Sequence, residues 1–152
     1  MTQTKEVSIV RARLAHLELL VPLFDGYRRF YKQGTNMAGA RRFLRERLRR
    51  DESMIFLALD GRKPVGFVQL YPSFDSVTMR RVWILYDLFV TATARKRGVA
   101  KMLMERARRF AIETKAKGLI LETAIGNVAA QKLYERLGWK RDMAFHRYYL
   151  DV

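Results

Sequence analysis

The chain predicts a mixed α/β fold: a central, mostly antiparallel sheet with one parallel crossover and helices on both faces. Three observations carry this expectation. Apolar residues recur at helical spacing in four stretches, short β-rich segments alternate with them, and one strand-helix-strand order requires a right-handed parallel crossover.

Val7 to Arg11 reads as the first strand. Leu17, Leu20, Val21, Phe24, Tyr27 and Tyr31 then repeat at helical spacing. Pro22 is expected in the first turn of that helix or at a kink, because proline removes a donor and crowds the preceding turn. Gln33-Gly34-Thr35-Asn36 breaks the pattern and supplies an N-cap. Met37, Ala40, Leu44 and Leu48 form the inner stripe of a second helix whose outer face is mostly arginine. Met54 to Leu59, the turn Asp60-Gly61-Arg62-Lys63 and Val65 to Tyr71 make a hairpin. After a connection over Pro72 to Thr78, Arg81 to Val90 completes an antiparallel meander. Val99, Leu103, Ala107, Phe110 and Ala111 line one face of a helix over Val99 to Thr114. Gly118 to Thr123 reads as a buried strand, parallel to Arg81 to Val90. Asn127 to Leu137 is the last helix, Gly138 is its stop, and Trp139 to Val152 closes with strands.

With 152 residues, 49% of them hydrophobic, and no linker or repeat, residues 1–152 are expected to form a single domain with its own core. The absence of cysteine excludes disulfides, thiolate metal sites and cysteine nucleophiles; no metal is expected. Met1-Thr2-Gln3-Thr4-Lys5-Glu6-Val7-Ser8 lacks a signal-peptide pattern, and no apolar run approaches the roughly 20 residues of a membrane span, so a cytoplasmic protein without a membrane partner is expected. The formal charge of +15 attracts polyanions. Its basic residues are spread through several helices, so charge alone does not choose between nucleic acid, acidic protein and a phosphorylated cofactor.

The strongest chemical signal is Arg95-Lys96-Arg97-Gly98-Val99-Ala100, between the end of a strand and the start of an amphipathic helix. Amides at a helix N-terminus carry partial positive charge and can hold a pyrophosphate, Gly98 allows close backbone approach, and Arg95, Lys96, Arg97 and Lys101 add charge. A solvated basic turn or a nucleic-acid patch is the competing reading.

Arg95-x-x-Gly98-x-Ala100, following Asp87-Leu88-Phe89-Val90, resembles the acetyl-CoA loop of the GNAT acetyltransferases. Asn127 and Tyr134, with the Gly138-Trp139 turn behind them, resemble that family's late Asn-to-Tyr helix. The resemblance spans nearly the whole chain. Through Gly66-Phe67-Val68-Gln69-Leu70-Tyr71 and Tyr86-Asp87-Leu88-Phe89-Val90 it is nearest to diamine and small-amine acetyltransferases. It implies direct transfer of an acetyl group from acetyl-CoA to a primary amine, without an acyl-enzyme. The pantetheine chain would lie along Leu88, Phe89 and Val90, with the Val90 amide polarising the thioester carbonyl. The pyrophosphate would sit on Arg95 to Lys101, and Asn127 and Ala130 would border the cofactor. Tyr134 would protonate the leaving thiolate, since a phenol with a pKa near 10 keeps its proton at neutral pH.

The general base is left between two carboxylates. Small-amine members carry one where this chain has Tyr86; Asp87 follows immediately, and Glu122 is the alternative on the neighbouring strand. Strand alternation would put Tyr86 and Asp87 on opposite faces. Tyr27, Tyr31, Gln69, Tyr71, Tyr86, Glu122 and His146 are the candidates for the acceptor pocket, and aromatic walls suit a cationic amine. Homodimerisation is a family habit. Nucleic-acid binding is not the expected role, because no recognition helix or stacking signature is present. Acetylation of a protein N-terminus or lysine, and non-catalytic CoA binding, stay open as alternatives.

Overall fold

Near-continuous apolar runs, buried on both faces, form the centre of one sheet in the computed structural model, which describes residues 6–152. Met1 to Lys5, part of the N-terminal stretch read for a signal peptide, lie outside the described residues. The chain divides into two units, Met1–Glu122 and Thr123–Val152.

The first unit holds the sheet, in the order β1 (Val7–Arg11), β2 (Met54–Asp60), β3 (Lys63–Asp75), β4 (Arg80–Val90) and β5 (Gly118–Leu121). β1 to β4 pair antiparallel in succession, and β5 runs parallel to β4. The expected crossover is therefore present, made by α3 (Val99–Glu113). Its two strands pair over Val82 to Leu85 and Gly118 to Leu121 only.

Alternation along β2 and β3 sends side chains to two faces. Ile55, Leu57 and Phe67 pack with Leu17, Leu20, Val21 and Leu44 from α1 (Leu17–Phe30) and α2 (Met37–Arg49). On the other face Phe56 and Trp83 meet Phe110 of α3, with ring centroids 5.6 and 4.8 Å apart. The Trp83 indole N–H donates to Thr114 Oγ1 at 2.9 Å, which satisfies a polar group in that layer. Gly66 gives α3 room to approach: a Cβ there would lie 2.8 Å from the Phe89 carbonyl oxygen and 3.4 Å from Leu103.

Asp25, on α1, sets the entry to α2. Its buried carboxylate accepts from the Thr35 hydroxyl at 2.7 Å and the Asn36 N–H at 2.8 Å. The Asn36 bond, more than the Thr35 bond and the nearby arginines, keeps its pKa below the usual range. Asn36 then caps α2 by accepting from the Gly39 N–H at 2.9 Å, as its sequence position suggests.

Several boundaries differ from expectation. Pro22 lies in the second turn of α1, after a short 3₁₀ turn at Leu14–His16, so the helix forgoes the bond to the Glu18 carbonyl. β3 continues through Pro72 to Asp75, and the turn to β4 narrows accordingly. Beyond Leu70, β3 is paired with β4 alone, so a proline there costs no second ladder. β5 is only half buried and ends at Leu121.

In the second unit α4 (Val128–Arg136) is capped by Asn127, whose side chain accepts from the Ala130 N–H at 3.4 Å. Gly138, at φ 90°, ends it: the Gly138 N–H donates to the Glu135 carbonyl and the Trp139 N–H to the Tyr134 carbonyl, the Schellman arrangement. Residues 139–152 contain no strand, contrary to the reading of that segment. Its aromatics carry β propensity, but propensity expresses packing on a pleated surface, and Phe145, Tyr148 and Tyr149 are exposed.

Candidate active site

A β-bulge shapes the site. Gln69 pairs with Asp87 and Leu70 with Leu85, which leaves Tyr86 as an extra residue in β4. The bulge breaks the alternation that would have sent Tyr86 and Asp87 to opposite faces. Both instead line one cleft of about 370 Å³.

The cleft lies between the first two helices and the sheet. Phe24, Tyr27 and Arg28 come from α1; Ala40 and Phe43 come from α2; Tyr71 completes the sheet side. Aromatic pairs stiffen its walls, Phe24 against Phe43 at 5.6 Å and Tyr71 against Tyr86 at 5.4 Å. Tyr86 is 59% exposed, whereas Asp87 is 3% exposed.

Asp87 sits at the end of a buried polar chain. The Ser53 hydroxyl donates to Gln69 Oε1 at 2.8 Å, which turns the Gln69 amide nitrogen toward Asp87, and that nitrogen donates to Asp87 Oδ2. The Tyr27 hydroxyl donates to the Tyr86 carbonyl at 3.3 Å and lies close enough to the Asp87 carboxylate to favour its charged form. Burial raises the Asp87 pKa to about 6, against the opposing pull of the Gln69 and Tyr27 bonds. Burial, then the Asp87 charge, also raises Tyr27, Tyr31 and Tyr71, so these phenols stay protonated at neutral pH. A carboxyl poised near neutrality beside an aromatic-walled cleft can exchange a proton with a bound ligand.

Downstream of Asp87, β4 has β3 as its only partner among the described residues, because the β4–β5 ladder stops at Leu85. Leu88 and Phe89 are half buried there and Val90 is buried. The next residue, Thr91, has a buried hydroxyl with no hydrogen-bond partner among the described residues. The chain then turns through residues 95–98, with Lys96 at φ 62° and Gly98 at φ 76°, into α3. The Met102 N–H donates to the Gly98 carbonyl at 3.0 Å, so the Val99, Ala100 and Lys101 amides precede the first bond of the helix. A Cβ at Gly98 would meet nothing within 4 Å, which leaves open ground in front of those amides. Of the four basic residues, Arg95 donates to the Val90 carbonyl at 3.2 Å and Arg97 pairs with Asp60 at 2.9 Å; Lys96 and Lys101 are exposed. These groups fit a pyrophosphate: oriented amides, a glycine and two free-standing ammonium groups.

The structure thus brings Asp87, Tyr71, Tyr86 and Tyr27 to one cleft. Gln69 is fully buried behind Asp87 and does not line it. Tyr31 is not in the lining but packs on Tyr27 at 5.0 Å. Glu122 lies just past the end of β5, exposed, rather than on that strand. Within the second unit, Asn127 and Ala130 are joined by the helix cap, the Tyr134 ring lies 6.2 Å from Trp139, and His146 is exposed. Ser53, Arg28 and Phe43 were not singled out from the sequence. Ser53 could have been found from its place immediately before β2, beside the Met54–Leu70 pair and so next to Gln69 across the antiparallel hairpin; the other two look like ordinary members of amphipathic helices.

The profile of the acetyltransferase (GNAT) family matches residues 20–139. The chain is 40% identical to the uncharacterized N-acetyltransferase YhfO of Bacillus subtilis, over 96% of this chain and 98% of that protein. A crystal structure of a probable acetyltransferase superposes with a TM-score of 0.91 at 45% identity, covering 95% of this chain and 97% of the other. The aminoglycoside N-acetyltransferase AAC(6')-Iy, solved in complex with CoA, shares the fold at a TM-score of 0.85 and 22% identity, covering 100% and 99%. Among the described residues no helix is long and apolar enough to cross a membrane, and no cluster of residues that could hold a metal is present. A family match over most of the chain, joined to 40% identity over nearly the full length of a relative named as an N-acetyltransferase, makes this protein a member of the GNAT family of acetyltransferases.

Proposed function

We propose that the enzyme transfers an acetyl group from acetyl-CoA to the primary amine of a small molecule bound in the cleft beside Asp87. The observation that carries this reading is the buried carboxyl, with its pKa lifted to about 6, lining an aromatic cleft at the bulge of β4. Aromatic faces suit an ammonium ion, and about 370 Å³ lies in the range of small-molecule sites.

Acetyl-CoA supplies the acyl group as a thioester. Among the described residues Leu88 to Val90 offer it a strand edge without a second partner, and the Thr91 hydroxyl is an unmet polar group at the end of that edge. Lys96, Lys101 and the Val99 to Lys101 amides would hold its pyrophosphate. Asp87 takes one proton from the bound ammonium, directly or through a water. The freed nitrogen lone pair forms the C–N bond at the carbonyl carbon while the Val90 amide donates to the developing oxyanion. As the C–S bond breaks, the departing sulfur takes its proton from Tyr134, a role that rests on the family motif, and the second proton that the nitrogen sheds in becoming an amide leaves through water and restores the Tyr134 phenol.

Thiol release from acetyl-CoA over small amines, amino acids, polyamines, aminoglycosides and peptides tests this. Turnover of small amines is expected. Turnover of peptides alone would make the acceptor a protein, and no turnover with any amine would sink the reading.

A further inference from the structure

Two charged side chains line the cleft, Asp87 and Arg28. Arg28 needs an explanation because a cationic wall repels the ammonium ion that the aromatic faces and Asp87 would attract. It is half buried, and its Nη1 donates to the Gly34 carbonyl at 3.2 Å, which anchors the guanidinium without neutralising it. The Asp25 carboxylate attracts it through space but spends its hydrogen bonds elsewhere. Asp25 takes the Thr35 hydroxyl, the Asn36 N–H and the Arg29 guanidinium, the last at 3.3 Å. Among the described residues Arg28 has no salt bridge, and of the arginines it alone lines the cleft. An anchored guanidinium with unused donors in an otherwise aromatic wall is the group that binds a carboxylate or phosphate in a ligand.

We propose that the acceptor carries an anionic group as well as its amine, and that Arg28 binds that anion in the cleft that holds Asp87. The proposal rests on the cleft being the acceptor site, and it narrows that site to zwitterion-like substrates: an amine at the Asp87 end, an anion at Arg28, and an apolar or aromatic body between. Polyamines and aminoglycosides, which bear several cationic groups and no anion, are disfavoured by the same charge.

Matched ligands differing only in the carboxylate test it: 4-(aminomethyl)benzoate against benzylamine, and 4-(2-aminoethyl)benzoate against phenethylamine. Binding to the enzyme saturated with CoA is measured by calorimetry, separately from turnover with acetyl-CoA. The carboxylated member is expected to bind roughly tenfold to a hundredfold more tightly, the usual range for a hydrogen bond to a charged group. Arg28→Gln should collapse that ratio toward one, and Arg28→Lys should retain part of it. Equal or weaker binding of the carboxylated members, or a ratio that survives in Arg28→Gln, overturns the proposal. Turnover speaks to the acetyltransfer reading on its own: an enzyme that binds the carboxylated members through Arg28 yet acetylates no amine would keep Arg28 as an anion site and defeat the assignment of the cleft to an acceptor. The Asn36 cap and the Asp25 bonds lie outside the substituted side chain, and matched thermal melts establish that both variants are folded.

Discussion

Gln69 and Asp87 stand opposite each other across β3 and β4, and the Gln69 amide donates to the Asp87 carboxylate where neither side chain is more than 3% exposed. Ser53 fixes the direction of that amide, and the bulge at Tyr86 turns Asp87 toward the cleft. The carboxyl is thus held by geometry while burial keeps it reluctant to ionise.

Stability should depend on pH through this group. Folding raises its pKa from 3.8 to about 6, so its stabilising contribution is full below 3.8 and is lost as pH rises through about 6. The loss amounts to at most about 3 kcal/mol. Asp87→Asn, neutral throughout, is expected to melt above the wild type at about pH 8 and to lose that advantage at about pH 4. Thermal melts at both values check this; a variant destabilised equally at both contradicts it.

In the proposed mechanism Gln69 positions Asp87, and Gln69→Leu removes the donor that favours the Asp87 carboxylate. The acidic limb of kcat/KM should then move up by roughly one pH unit. A uniform fall in kcat/KM at every pH would mean that Gln69 serves packing alone.

Gly98 adopts φ 76°, with open space around its missing Cβ. Gly98→Val should cost about 1–2 kcal/mol of stability through backbone strain alone, and Gly98→Asn less, since Asn tolerates the left-handed region. Both should raise the KM for acetyl-CoA, because either side chain occupies the ground before the Val99 to Lys101 amides. An unchanged KM in the well-folded Asn variant contradicts pyrophosphate docking there.

Tyr134→Phe should lower kcat by roughly a hundredfold while acetyl-CoA affinity stays near the wild-type value, as loss of a general acid demands. Pre-steady-state thiol release with a separate binding titration distinguishes the two quantities. Unchanged turnover removes Tyr134 from the chemistry.

Much of the fold was legible because local signals agreed with it. Asn36 precedes an apolar stripe and caps α2, and Gly138 closes α4 in a Schellman turn. The crossover followed from element order alone. Pro72 misled because a proline reads as a break, yet β3 is an edge on one side at that point. The bulge could not be read from Leu85-Tyr86-Asp87, since a bulge is a property of two strands in register. That one feature decides which side chains share the cleft, so the sequence named Tyr86 and Asp87 but separated them. Arg28 was hidden among many arginines; its place in the cleft lining sets it apart.

The most direct measurement is the pH dependence of kcat/KM for thiol release, with a small amine acceptor, in the wild type and in Asp87→Asn. The wild-type profile is expected to fall below about pH 6, where the carboxyl becomes protonated. In Asp87→Asn that limb should vanish and kcat/KM should drop by roughly 10²–10⁴-fold, the contribution of a general base. A variant that keeps the wild-type rate and the same acidic limb would show that Asp87 does not take the proton.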